Sequence, residues 1–220
     1  MTSPTGGDPV GERLAAPFLA LLPVDGVAIS ILNRDRTAVL VHASDATAAR
    51  LEEIHFDLGE GPAFEAFDTE SAVLVPDVAA SDRWPLFLAD ARGTDAAAVF
   101  VFPLSLGAAC VGTVLCYSSA AGTLDAAATE IGTTLSRAIA GPAFRQAMIL
   151  ADHEDAGEAA PSEMRREVHQ ATGMVLLQLE VSATDAFARM RAYAFSHGST
   201  LREVAHDVVA RRLDFSTLND

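Results

Sequence analysis

The sequence predicts an α+β fold, in which an antiparallel sheet flanked by helices is followed by a module of three helices. Three observations lead to this prediction. Short runs rich in Val, Ile and Leu alternate with helical patterns through residues 10–150. No strand pattern appears after about residue 160, where apolar side chains recur at helical spacing. The intervening stretch of residues 151–161 is acidic and has no periodic pattern, which is typical of a linker.

These changes of pattern also predict the domain boundaries. We expect a first domain over residues 10–150, an acidic linker over residues 151–161 and a second domain over residues 162–213. Half of the residues are hydrophobic, which is enough for a substantial core. Disorder is therefore not expected as the main state of the chain.

Turn-forming residues bound the elements of the first domain, because glycine, proline and small polar residues separate its apolar runs. The predicted strands are Gly26–Leu32, Ala38–Ala43, Ala72–Val75, Ala97–Leu104 and Cys110–Ser118. The predicted helices are Gly11–Leu22, one capped by Asp45 that reaches about Ile54, a brief one after Gly59-Glu60-Gly61-Pro62, Asp82–Ala91 and Leu124–Ile139. The last pattern resumes over Phe144–Leu150, after a kink or interruption expected at Gly141-Pro142.

Three helices are expected in the second domain. Ser162, Thr184 and Thr200 can cap them, and they end near residues 179, 197 and 213. A module of about 50 residues is close to the lower size limit for independent folding. We therefore expect these helices to depend on one another, and we expect the chain to form a homodimer.

The charge distribution restricts nucleic-acid binding. The net charge is −15, and all 15 basic residues are arginine. Residues 1–150 carry a net charge of −10, whereas residues 163–213 carry 7 Arg and 6 acidic residues, a net charge of +1. Because phosphate contacts supply most non-specific affinity, the net charge argues against indiscriminate nucleic-acid binding. Only the second domain is permissive for RNA.

No signal peptide pattern and no apolar run of about 18 residues is visible, so we expect a cytoplasmic location and no membrane partner. No phosphate-binding glycine loop or metal-ligand spacing appears, and we predict neither a cofactor nor a metal. His42 and His55 are isolated, which favours surface or core placement over haem ligation. Cys110 and Cys116 in one strand would share a face about 20 Å apart, too far for a disulfide.

The second domain carries the segments REVHQATGMVLLQLEV, DAFARMRAYA and TLREVAHDVV, from about Glu163 to Arg211. In this order they resemble an ANTAR domain, the RNA-binding module of bacterial transcription antiterminators. The matching residues are Arg166, Gln170-Ala171, Gly173-Met174, Ala186-Phe187, Arg191 and Ala205. One departure is Thr172, where many members of the family carry Lys.

The resemblance implies that side chains of these helices contact RNA. Guanidinium groups bind phosphate and stack on unpaired bases, while His and Gln can contact base edges. A glycine inside a helix costs about 1 kcal/mol relative to Ala, which the close approach of a helix or a ligand would offset. The candidates are Arg165, Arg166, His169, Gln170, Gly173, Arg189, Arg191 and Arg202. The alternatives are a solvated helix face for the arginines, a surface or packing role for His169, and helix packing for Gly173.

The first domain carries DGVAISIL, LGEGPAFEAF, VLVPDVAASDRWP and VFPLSLGAACVGTVLCY. This order of segments resembles a GAF domain. The resemblance implies an antiparallel sheet with a ligand pocket on one face, beneath helices that carry Phe64, Phe67, Trp84 and Phe87. It implies an unknown small-molecule or protein signal, while the motif of cyclic-nucleotide binding is missing.

Together the two resemblances predict a signal-responsive antiterminator, and not an enzyme, that binds paired hairpin loops in leader RNA. One alternative is a thiol enzyme similar to free methionine sulfoxide reductase. Cys110 and Cys116 are its only possible nucleophiles, and neither has a basic residue within five positions. The other alternative is a helical module that binds a second protein instead of RNA.

Overall fold

The computed structural model describes residues 9–33, 38–155 and 163–218. The chain divides into two compact units, residues 1–152 and residues 153–220. The first unit contains a five-stranded antiparallel sheet with flanking helices and the second is helical, so the predicted α+β fold is confirmed.

The sheet contains five strands, with the bounds β1 Gly26–Leu32, β2 Ala38–Ala43, β3 Val73–Val75, β4 Ala98–Leu106 and β5 Ala109–Ser118. The strands are arranged in the order β2-β1-β5-β4-β3, and every neighbouring pair is antiparallel. The long strands β1, β4 and β5 occupy the centre because their residues are apolar on both faces.

Helices cover both faces of the sheet. Their bounds are α1 Pro9–Leu21, α2 Ala46–Leu58, α3 Pro62–Thr69, α4 Pro85–Ala91 and α5 Ala126–Asp155. Val27 and Phe100 pack with α1 and α5 on one face, whereas the alternate residues Ala28 and Val99 pack with α2, α3 and α4 on the other.

The second unit contains α6 (Glu163–Leu179), α7 (Ala183–Ser196), α8 (Leu201–Val209) and a 3₁₀ turn at Phe215–Thr217. Thr200 caps α8, as predicted, and it forms a capping box with Glu203 at the start of this helix. Ser162, the predicted cap of α6, lies outside the described residues.

Two helix boundaries in the first unit differ from the prediction. Helix α5 runs without interruption through Gly141-Pro142, because Ala140 and Ala143 are packed in the core and hold the helix against the sheet. Helix α4 begins at Pro85, not at Asp82. Trp84 takes a left-handed φ of 47°, and Pro85 then occupies the first helical position, where no N–H is needed.

Two boundaries differ in the second unit as well. Ser182, not Thr184, caps α7, because its hydroxyl accepts the N–H of Asp185 at 3.1 Å. Helix α8 ends at Val209, about four residues before the predicted end. Arg211 has a left-handed φ of 57°, which turns the chain back toward the 3₁₀ segment.

A bulge in β5 makes the predicted arrangement of the two cysteines wrong. Leu104 pairs with Gly112, but the next residue of β4 pairs with Cys110, so two residues of β5 oppose one residue of β4. The extra residue reverses the alternation of side chains. Cys110 therefore lies on the opposite face of the sheet from Cys116, and both are free thiols.

Candidate functional site

Helix α6 is the centre of the second unit and contacts both α7 and α8. Its inner face is formed by Val168, Ala171 and Val175, which are all buried. The other two helices contribute buried side chains at helical spacing, among them Met190 and Val204. These contacts use one side of α6 and leave the other side to solvent.

That outer side carries Gln170, Gly173 and Leu177, which are exposed and spaced i, i+3 and i+7. We call these three residues the α6 stripe. Leu177 is 76 % exposed, which is unusual for a large apolar side chain. Among the described residues, a Cβ atom added at Gly173 would meet no heavy atom within 4 Å outside the adjoining backbone of α6. Within the described residues, helix packing therefore does not offset the cost of this glycine.

Thr172, the departure from the ANTAR pattern, does not point outward. Its hydroxyl donates to the carbonyl of Val168 at 2.7 Å and lies 3.8 Å from the sulfur of Met190. The side chain is half-buried between α6 and α7. The missing Lys therefore leaves the α6 stripe unchanged.

The arginines predicted on α7 do not share a surface. Arg189 is exposed, whereas Arg191 is half-buried with its guanidinium carbon 5.7 Å from the ring centre of Phe187. Residues two positions apart in an α-helix are rotated by about 200° about the helix axis, so the two guanidinium groups project from opposite flanks. One RNA loop on one side of α7 can meet only one of them.

Arg202 lies in an acidic environment on α8. It lines an open groove with Glu167, Glu203, His206 and Asp207. Glu167 contacts His206 at 2.7 Å, Glu203 caps α8, and Asp207 pairs with Arg212. Three carboxylates beside one exposed arginine oppose a phosphate there. The side chains of Arg165, Arg166 and His169 lie outside the described part of the structure.

Helix α7 and its C-terminal cap carry an aromatic contact that was not predicted from the sequence. The rings of Tyr193 and His197 stack with centroids 3.9 Å apart and an interplanar angle of 18°. Phe215 packs against Tyr193 at 5.4 Å. The i, i+4 spacing of Tyr193 and His197 was the available signal for this stack. Tyr193 is half-buried, and His197, which directly follows the end of α7, is exposed.

In the first unit, the four predicted pocket residues lie around α3 and α4. Phe64 and Phe87 are buried, while Phe67 and Trp84 are half-buried. Arg83 forms an ion pair with Glu65, and its guanidinium carbon lies 4.2 Å from the ring centre of Trp84. Two rings therefore pack inside and two form the rim of this region.

His55 and Glu60 connect the helices around these rings. The imidazole of His55 is buried against Phe87, with ring centroids 4.3 Å apart, and burial lowers its pKa from 6.5 to about 4. One carboxylate oxygen of Glu60 accepts the backbone N–H groups of Leu86 and Phe87 at 3.1 and 3.3 Å. The Gly-Glu-Gly-Pro turn thus caps α4, which the sequence did not indicate.

A buried polar group lies on the same face of the sheet. The hydroxyl of Ser30 donates to Glu52 at 2.6 Å, and both residues are buried. Thr113 is the cross-strand partner of Ser30, and its buried hydroxyl finds no hydrogen-bond partner in the described part of the chain. A buried polar atom without a partner is costly, so this position marks a place that a bound polar group would stabilise.

Both thiols are poor nucleophiles. Burial raises the pKa of Cys110, and the nearby carboxylates of Glu70 and Asp68 raise it further. Cys116 is fully buried, and desolvation strongly raises its pKa. Since the thiolate is the reactive form, neither position favours thiol chemistry.

Two further properties apply only to the described ranges, 9–33, 38–155 and 163–218. There, no three His, Cys, Asp or Glu side chains come together as metal ligands. None of the helices traced in those ranges combines the length and the apolar character that crossing a bilayer requires.

Comparison with known proteins gives two family matches. The family model of the GAF domain matches residues 15–141, and that of the ANTAR domain matches residues 161–209. No curated protein matches the chain.

Solved structures match about two thirds of the chain. A domain of a two-component sensor histidine kinase protein from Sinorhizobium meliloti 1021 is 17 % identical with a TM-score of 0.52, covering 69 % of this chain and 99 % of that one. The GAF domain region of a membrane protein from Geobacter sulfurreducens PCA is 16 % identical with a TM-score of 0.50, covering 61 % and 89 %. The type II free methionine-R-sulfoxide reductase from Thermoplasma acidophilum is 15 % identical with a TM-score of 0.48, covering 62 % and 92 %. At 17 % and 16 % identity, the first two matches indicate the fold alone.

Proposed function

Because the chain belongs to the GAF domain family and carries an ANTAR domain after it, we propose that it is a signal-responsive transcription antiterminator. GAF domains sense signals, and ANTAR domains are RNA-binding antitermination domains. In the proposal, α6–α8 bind paired hairpin loops of nascent leader RNA, in the cytoplasm and under control of the GAF domain. Binding there stops a terminator hairpin from forming.

The observation that carries the proposal is the open position at Gly173. A glycine inside a helix lowers the stability of the helix, and no packing contact among the described residues offsets this cost at Gly173. Close approach of RNA to the backbone of α6 at Gly173 would offset this loss of stability. The flanking Gln170 can hydrogen-bond a base edge, and Leu177 offers an apolar surface to an unstacked base.

The charge of the helical module supports loops as the target. With a net charge of +1 over residues 163–213, the module cannot rely on many phosphate contacts. Hairpin loops display unstacked bases, which proteins recognise by stacking and by hydrogen bonds to base edges. A weakly charged surface with polar and apolar side chains suits such a target better than it suits a duplex.

Because one helical module binds one RNA loop with low affinity, we propose that two modules bind two loops together. Linking two binding events can raise the overall affinity by about 10²- to 10⁴-fold without new contacts. Helix α5 supplies a surface for a homodimer, since Phe144, Met148 and Ile149 are exposed apolar side chains within six residues. Large apolar side chains grouped on a surface mark interaction sites.

The signal site of the proposal lies on the helix-covered face of the sheet. Phe67 and Trp84 form its rim, and Phe64 and Phe87 lie beneath. Ser30, Glu52 and Thr113 add buried polar atoms on that face. We propose a small molecule with hydrogen-bonding groups as the signal, and α5 as the element that transmits the change along the chain.

The proposal is tested with the full chain and two RNAs, one carrying two stem-loops and the other carrying one. Both should have randomised loops, and binders should be selected on immobilised protein before affinities are measured. We expect the two-loop RNA to bind at least about 100-fold more tightly. Between 50 and 200 mM salt, affinity should fall less than the roughly 10³-fold expected for six phosphate contacts. No enrichment of any RNA would overturn the proposal.

A further inference from the structure

We infer that the Tyr193–His197 ring stack on α7 is a stacking site for an unpaired RNA base, with Arg189 positioned to meet the adjoining phosphate. The inference rests on the proposed function and adds a second contact surface beside the α6 stripe.

The three residues lie on one face of α7, because they are spaced i, i+4 and i+8. The rings of Tyr193 and His197 are nearly parallel, with 3.9 Å between centroids. Arg189 is exposed one turn before Tyr193. An exposed guanidinium group and a two-ring stack therefore follow each other along the same side of the helix.

The stack is held rigidly. His197 Nδ1 donates to the carbonyl of Tyr193 at 2.9 Å, which fixes the orientation of the imidazole. Tyr193 packs against Phe215 at 5.4 Å, and the backbone N–H of Phe215 donates to Gln178 on α6 at 3.1 Å. A base that stacks on His197 would meet a surface already ordered by the module, so little entropy is lost on binding.

The chemistry of the site favours an unpaired base. Stacking on an aromatic ring requires a splayed base, which hairpin loops supply and duplexes do not. In the neutral imidazole, the proton on Nδ1 leaves Nε2 as an acceptor for an exocyclic amino group. His197 is exposed, and the base would stack on the ring face turned away from Tyr193.

The test uses the full chain and the selected one-loop RNA, so that each binding event involves one ring stack and one Arg189. His197→Ala removes the outer ring and should weaken binding about 5- to 100-fold, the usual effect of losing one base–aromatic stack. His197→Phe keeps a ring and should retain the affinity within about twofold. Circular dichroism of both variants should match the unaltered chain, because His197 is exposed.

The salt dependence separates stacking from charge. Loss of a stack should lower the affinity without changing the slope of log affinity against log salt, whereas Arg189→Ala should reduce that slope by about one. Phe195→Ala is the matched control. Phe195 is 64 % exposed on the same helix but lies about 200° around the helix axis from both Tyr193 and His197. Loss of its ring should therefore leave the RNA affinity unchanged.

Three results would overturn the inference alone, with RNA binding by the unaltered chain intact. They are full affinity of His197→Ala, a loss by His197→Phe as large as that of His197→Ala, and an equal loss by Phe195→Ala. Failure of the unaltered chain to enrich any RNA would overturn the inference together with the proposed function.

Discussion

His55 accepts a hydrogen bond from the backbone of Ala63 and thereby joins α2 to α3. The N–H of Ala63 donates to His55 Nε2 at 3.1 Å, while His55 Nδ1 donates to the carbonyl of Leu51 at 2.8 Å. Gly61, with a φ of +125°, lets the chain turn closely over the imidazole, because a Cβ there would lie 2.8 Å from the ring. Both ring nitrogens are used, and the geometry requires a neutral imidazole.

This arrangement predicts that the GAF domain loses stability in mild acid. The pKa of His55 is lowered from 6.5 to about 4, so the unfolded chain takes up a proton before the folded one does. The contribution of neutral His55 is complete above about pH 7 and is lost as the pH falls from 6.5 toward 4. At pH 5 the loss should be on the order of 2 kcal/mol. Chemical denaturation at pH 7.5 and pH 5 measures it.

The control for this prediction is His55→Gln, which removes the titrating group. The variant should be less stable at pH 7.5, because a buried hydrogen-bonded link is altered, but its stability should change less between the two pH values. Carboxylates titrate in both proteins and cancel in the comparison. An equal change in the variant and the unaltered chain would show that His55 is not the cause.

The sequence was sufficient for the strands, since their apolar runs end at turn residues and β1 and β2 have the predicted bounds. It was insufficient where two local signals compete. Ser182 and Thr184 are both residue types that favour the N-cap position. Ser182 is the cap in the structure because its side chain accepts the backbone N–H of Asp185 in the first turn of α7. The bulge that separates Cys110 from Cys116 depends on pairing with β4, which no periodicity within β5 reveals.

The candidate site was predictable in composition more than in arrangement. The motif singles out Gly173, but that its Cβ position is open becomes evident only once α7 and α8 are in place. Arg189 and Arg191 look equivalent as arginines, yet only Arg189 is exposed. Helical stripes describe what a helix buries, and the stack of half-buried Tyr193 on exposed His197 falls outside such a pattern.

Replacing Gly173 with Ala should separate stability from binding. Gly173→Ala should stabilise the ANTAR domain by about 0.5–1 kcal/mol, because alanine is the better helix former and has free space there. RNA affinity should nevertheless fall at least about fivefold, since the methyl group occupies the surface of α6 that RNA approaches. Thermal unfolding and binding to the selected RNA give the two values.

Gly198 is the matched control for Gly173. An added Cβ at Gly198 would also meet no heavy atom of the described residues within 4 Å outside its chain neighbours, but the φ of Gly198 is +62°. Gly198→Ala should therefore destabilise the domain by about 1 kcal/mol through backbone strain. Unchanged RNA affinity in Gly173→Ala would remove the α6 stripe from the interface.

A charge at Leu177 should distinguish RNA binding from protein binding by α6. The side chain is 76 % exposed, so Leu177→Asp should change the stability by less than about 0.5 kcal/mol. It should weaken RNA binding by repelling phosphate, while the oligomeric state stays the same. Leu218→Asp, at another exposed leucine, should have little effect. A changed oligomeric state with intact RNA affinity would favour the protein-binding alternative.

The two thiols should react slowly in the folded protein. Burial raises the pKa of both, most strongly for Cys116. With a disulfide reagent at pH 8, Cys116 should react only after denaturation, and Cys110 more slowly than free cysteine. The variant Cys116→Ala keeps Cys110 as its one thiol, so the kinetic phase that remains in this variant belongs to Cys110. Rapid reaction of Cys116 in the native state would revive the thiol-enzyme alternative.

A charge in the exposed apolar group on α5 should uncouple dimer formation from loop binding. Met148 is 53 % exposed between Phe144 and Ile149, so an aspartate there leaves the core intact but places a carboxylate in the proposed interface. Met148→Asp should be monomeric by sedimentation and should lose the preference for two-loop RNA, whereas single-loop RNA should bind as before, because each ANTAR module is unchanged. Leu86→Asp on α4 is a suitable control, since this exposed leucine belongs to the helices on the other face of the sheet. If Met148→Asp remains dimeric and keeps the two-loop preference, α5 does not form the interface and the pairing of modules must use another surface.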